Sequence, residues 1–118
     1  MAGRVAGKVA FITGAGHGQG RSHAIRLAKT MANELARHKI RVNTVHPTGV
    51  NTPMVVNDAM QEFLAQDPSL SNAMANALPV PMVEPVDISN AIVWLVSDDA
   101  RYVTGVTLPV DAGFTNKK

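Results

Sequence analysis

The chain has 118 residues, of which 46% are hydrophobic and 17% charged, with 11 basic and 9 acidic side chains and a formal charge of +2. That length suits one domain over residues 1–118, and the apolar share excludes a disordered segment. The absence of cysteine excludes a disulfide framework and thiolate chemistry.

No apolar run approaches the ~18 residues of a membrane helix, and the N-terminus carries no signal-peptide pattern. A soluble, cytoplasmic protein that does not contact membrane is therefore expected. The charged share lies below the ~25% of ordinary soluble domains, which suggests surface hidden in a homo-oligomer.

Residues 8–13 predict a short buried strand, because β-branched and aromatic residues run up to a glycine cluster. Gly14, Gly16, Gly18 and Gly20 then alternate with Ala15, His17 and Gln19. Beyond them the period changes to that of a helix over about residues 21–38. Ala24, Leu27, Met31 and Leu35 form its apolar stripe, with Arg26, Lys29, Asn33 and Arg37 opposite. Residues 40–45 alternate like a second strand, which Pro47 and Gly49 end. Span 8–46 thus predicts a strand, glycine-rich turn, helix and strand, the parallel βαβ unit of an α/β sheet.

Span 51–85 differs in texture, rich in Asn, Ala, Met and Pro. Short helices are expected near residues 57–66 and 71–78, and Pro79, Pro81 and Pro85 interrupt any longer element. Such a stretch within a domain predicts a lid or substrate loop. In span 86–113, Asp87 is expected to cap a helix burying Ile88, Ala91, Ile92, Leu95 and Val96. Gly105 then turns the chain into a last strand over residues 106–110.

The glycine cluster carries the chemistry. A strand ending in glycines and feeding a helix brings bare backbone N–H groups and the positive helix end to one point, where a pyrophosphate is favoured. The G-x-G-x-x-G spacing fails, since Gln19 or Arg21 falls on its sixth position, but T-G-x-x-x-G-x-G fits from Thr13 to Gly20.

Charge agrees with an anionic ligand: eight basic residues against Glu34 alone give residues 1–50 a net +7. Three basic against eight acidic give the remainder −5. The basic residues lie at intervals without interleaved aromatics, which argues for a phosphate-bearing small molecule and against nucleic acid.

The segment T-G-A-G-H-G-Q-G at residues 13–20 resembles the cofactor motif of short-chain dehydrogenases/reductases. Residues 40–49, I-R-V-N-T-V-H-P-T-G, are similar to that family's strand and Pro-Gly turn, and residues 97–105 and 108–113 resemble its C-terminal signature. The G-H-G-Q-G-R-S-H run and residues 45–54 are most similar to the carveol-dehydrogenase-type, mycofactocin-associated subgroup.

The resemblance implies a reduced Rossmann-like, doubly wound parallel sheet in three layers. It implies NAD(P)-dependent oxidation or reduction of an alcohol or ketone, such as a terpenoid. It also places Gly14, Gly16, His17, Gly18, Gln19 and Gly20 on the cofactor pyrophosphate, with the Val50 backbone and Thr52 hydroxyl on the nicotinamide carboxamide. NAD is the expected cofactor. NADP stays open, because the acidic discriminator after the family's second strand is missing and His17 stands where a cation often marks NADP preference.

The family's catalytic Tyr-x-x-x-Lys pair is missing too. The single tyrosine, Tyr102, is followed four residues later by Val106. No catalytic residue is therefore assigned, and the chain is expected to be inactive alone. The alternative role is a nucleotide-binding or subunit-interaction module. Residues 21–28 resemble the helix after the glycine turn and residues 30–37 the end of the later catalytic helix, so the family's centre is missing at a seam near Lys29.

Remaining candidates are weaker. His17, His23, His38 and His46 lack metal-ligand spacing, adjacent Asp98 and Asp99 point apart, and no G-x-S-x-G elbow occurs. Met54, Met60 and Met74 suit either an apolar pocket or a core.

Overall fold

The computed structural model describes residues 9–12 and 18–117, with side chains described over 21–117. Three strands, β1 (Val9–Ile12), β2 (Arg41–Pro47) and β3 (Thr107–Val110), form one parallel sheet in the order β1-β2-β3. Val9 pairs with Arg41 and Ile12 with Thr44; Thr44 pairs with Thr107 and Pro47 with Val110. The α/β architecture with a parallel sheet is the one expected. From Val42 to His46 every residue of β2 is buried, so both pleat faces of the central strand are covered.

Helix α1 (Gly18–Leu35) joins β1 to β2 and ends in a 3-10 turn, Ala36–His38. Lys39, at φ 58°, reverses the chain into β2. The helix runs unbroken through Lys29, but its buried stripe is not the one expected. Ala24, Ala28 and Ala32 are buried, Met31 and Leu35 pack beside them, and Leu27 stays 54% exposed. The cause is close approach: Ala28 and Ala32 pack on Ile40 and Val42, and a Cβ on Gly105 would stand only 3.5 Å from that of Ala32. Alanine lets helix and strand meet where leucine would hold them apart.

Two short helices follow, α2 (Asp58–Gln66) and α3 (Pro68–Ala73). Asn57 caps α2 by accepting the Met60 N–H at 2.9 Å. The second helix begins at Pro68, before the expected 71–78, because Asp67 accepts the Ser69 N–H at 2.9 Å and Pro68 suits a first helical position.

Helix α4 (Pro85–Val96) packs on β2 and β3. Its N-cap is Glu84, and Asp87 acts from the third helical position, its carboxylate accepting the Glu84 N–H at 3.0 Å. Proline at the first position moves the start upstream of the expected cap. Leu95 is fully buried, Ile88, Ala91 and Ile92 are half-buried, and Val96 is exposed, contrary to expectation.

The connection from α4 to β3 is pinned to the start of β2. Asn43, fully buried, donates from Nδ2 to the Val103 carbonyl and accepts the Val106 N–H at Oδ1, both at 3.0 Å. Arg41 Nη1 donates to the same Val103 carbonyl at 3.0 Å.

Candidate functional site at the carboxyl edge of the sheet

Parallel pairing gathers the carboxyl ends of β1, β2 and β3 at one edge, where ligands of open α/β sheets bind. Gly14, Gly16 and His17 lie outside the described residues. Gly18, Gln19 and Gly20 form the first turn of α1, so the helix starts three residues earlier than expected.

At the end of β2 the chain makes an isolated parallel bridge, Val50 with Val83. The Val83 N–H donates to the Gly49 carbonyl at 3.0 Å and the Asn51 N–H donates to the Val83 carbonyl at 2.9 Å. In such a bridge the central residue's own N–H and C=O face away from the partner. Val50 therefore presents both groups on the side opposite Val83. Thr52 is half-buried; its carbonyl accepts the N–H groups of Val55 and Val56, and its hydroxyl makes no hydrogen bond among the described residues. Asn51 Nδ2 donates to Glu84 at 3.1 Å, anchoring this loop to the start of α4.

Beside the loop, α2, α3 and residues 74–82 enclose an apolar cavity of about 610 Å³. Val55, Met60, Leu64, Met74, Leu78 and Phe114 line it, with Thr48, Gln61, Ser71 and Asn76 as polar points. Of the three methionines singled out in the sequence, Met60 and Met74 line this cavity and Met54 is 86% exposed. Thr48 Oγ1 donates to Asn76 Oδ1 at 3.1 Å, and Asn76 Nδ2 donates to the Val80 carbonyl at 2.8 Å. Sequence reasoning missed Asn76 and Phe114: neither stands in a periodic pattern, and their contacts join segments far apart in the chain.

Tyr102 lies at the other end of the sheet, in the turn before β3 that Arg41 and Asn43 hold to the start of β2. It is 87% exposed, its ring centroid 5.1 Å from the Arg101 guanidinium carbon. Asp98 and Asp99 are exposed, and His46 is buried within 2.8 Å of Thr44 Oγ1. Among the described residues no three His, Cys, Asp or Glu side chains are grouped to hold a metal ion. No described helix is long and apolar enough to cross a membrane.

A family model described as enoyl-(acyl carrier protein) reductase matches residues 5–115. The chain is 51% identical over 104 residues to an uncharacterized oxidoreductase of Mycobacterium tuberculosis, covering 87% of this chain and 38% of the relative. It is 46% identical over 101 residues to (-)-trans-carveol dehydrogenase of Rhodococcus erythropolis, covering 79% and 36%. The crystal structure of carveol dehydrogenase from Mycobacterium avium in complex with NAD superposes with a TM-score of 0.74 and 41% identity, over 92% of this chain and 46% of that one. The chain thus spans less than half the length of these relatives. On the glycine-rich sequence between β1 and α1, the parallel sheet and the match over residues 5–115, the chain belongs to the short-chain dehydrogenase/reductase family.

Proposed function

We propose that this chain binds NAD at the carboxyl edge of its sheet and holds a small apolar alcohol or ketone in the adjoining cavity. The observation that carries this reading is the bridge at Val50, which leaves a backbone donor and acceptor facing away from Val83, beside the Thr52 hydroxyl. A carboxamide needs that pairing of donor and acceptor, so these residues fit the nicotinamide end. The first turn of α1 fits the other end: Gly18 and Gly20 carry no side chain to obstruct a pyrophosphate, and the helix dipole favours its charge.

Bound there, NAD supplies acceptance of a hydride from an alcohol carbon, and its reduced form supplies the reverse. The chain's own residues bind and orient. Gly14, Gly16, His17, Gly18, Gln19 and Gly20 cradle the phosphates, and Val50 and Thr52 set the carboxamide. The apolar lining of the half-open cavity suits an apolar substrate. Relatives named for carveol dehydrogenase support a terpenoid-like alcohol as that substrate.

Moving the alcohol proton is a step to which no described residue at this edge is assigned. Tyr102, its only tyrosine, stands exposed at the opposite end of the sheet. That observation favours a second element of the proposal: alone, the chain is a nucleotide-binding module without turnover. Val86, Val93 and Trp94, exposed along α4, support self-association into a homo-oligomer. A cytoplasmic setting belongs to the same reading.

Two assays on the same protein test it. NAD, and NADP in parallel, should raise the unfolding temperature, whereas NADH absorbance should not grow over a panel of cyclic alcohols. Turnover would overturn the inactive reading, and an unfolding temperature indifferent to both nucleotides would overturn the cofactor site.

A further inference from the structure

We propose that residues 111–117, beyond β3, form a strap that holds the α2–α3 lid over the apolar cavity, with Lys117 as its latch and Phe114 as the wall limiting what fits. This rests on the reading above only insofar as the cavity takes a ligand.

The strap begins at Asp111, which is 7% exposed. Its carboxylate accepts the N–H groups of Gly113 and Thr115, each at 3.0 Å, and the Thr115 hydroxyl at 2.7 Å. These bonds reverse the chain as it leaves the sheet. Ala112 and Gly113, at φ 51° and 79°, complete the reversal. A Cβ on Gly113 would stand 2.7 Å from that of Ala77, so here the strap's backbone lies directly on the segment that continues the lid after α3. The Leu78 N–H donates across this contact to the Ala112 carbonyl at 2.9 Å.

At its far end Lys117 reaches back to the end of α3. Its Nζ donates to the carbonyl of Ala73, the last residue of α3, at 3.1 Å and to the Ala75 carbonyl two residues beyond the helix. The same ammonium stands 4.6 Å from the Phe114 ring centroid. One cation thus links the lid's helix end to the aromatic wall of the cavity, and Phe114 faces that cavity beside Met74 and Leu78. Lid and strap touch at backbone, hydrogen bond, cation and ring within seven residues.

Hydrogen exchange on the full chain tests the latch without any ligand, so its outcome is independent of cofactor or substrate binding. Lys117→Met keeps the side-chain stem and removes the donors. It should accelerate exchange of the Met74 and Leu78 amides at least fivefold while leaving those of Val42 and Val45 within twofold, and Lys117→Arg should restore slow exchange. Met74 and Leu78 exchanging at the unmodified rate would overturn the strap. So would equal acceleration in β2, which would report general loss of stability. Nile red titration then tests the wall: Phe114→Trp should weaken its binding at least fivefold, and unchanged affinity would overturn the role of Phe114.

Discussion

The Thr48 hydroxyl donates to the Asn76 side-chain oxygen at 3.1 Å, tying the carboxyl end of β2 to the far side of the lid. Asn76 passes the connection on to the Val80 carbonyl. Thr48→Val keeps the shape and removes the donor. It should lower stability by about 0.5–1.5 kcal/mol, the net contribution of one hydrogen bond, read as a lower urea midpoint in Trp94 fluorescence.

Asn43 makes a stronger claim on the fold. It is fully buried, and its Oδ1 is the acceptor for the Val106 N–H. Its donor contact is less critical, because the Val103 carbonyl also accepts from Arg41. Asn43→Ala leaves the Val106 N–H without its partner and should cost about 1–3 kcal/mol, with the cavity adding to it. Chemical denaturation at constant m-value measures this.

Helix α1 offers a paired test of which stripe faces the sheet. Leu27→Gln changes a side chain that is 54% exposed and should alter stability by no more than about 0.5 kcal/mol. Ala32→Leu forces bulk against Val42 and Gly105 and should destabilise by about 1–3 kcal/mol. Reversed effects would restore the stripe through Leu27.

The strands, the continuous α1 and the existence of α2 and α4 were all legible, because periodicity and glycine or proline boundaries are local signals. The depth of burial was not. Leu27 has the more hydrophobic side chain, yet Ala28 and Ala32 are buried, because the separation of helix and strand is set by Val42 and Gly105 elsewhere in the chain. At the site, glycine spacing pointed to a phosphate turn, and the family resemblance of the loop after β2 implied Val50 and Thr52. Asn76, Phe114 and Lys117 were hidden for a different reason: their roles arise only when the lid and the tail after β3 meet.

Asp111 gives a pH signature. Burial pushes its pKa up, but hydrogen bonds from the Thr115 hydroxyl and amide and the Gly113 amide outweigh that and hold it below the usual carboxylate value. A carboxylate whose pKa is lower folded than unfolded contributes stability above the unfolded value, near pH 4. That contribution is lost as pH falls through the folded value. Asp111→Asn should therefore flatten the acid limb of a stability–pH profile below about pH 4, with the two proteins drawing together as the native carboxylate is protonated. Parallel profiles across that window would remove Asp111 as the source.

NAD binding is proposed for the carboxyl edge, from the first turn of α1 to Val50 and Thr52. Thermal unfolding of the full chain, followed by Trp94 fluorescence with increasing NAD, measures it most directly. A single site predicts saturable stabilisation reaching about 2.7 kcal/mol when NAD stands at 100 times its dissociation constant. An unfolding curve that does not move in millimolar NAD would contradict it.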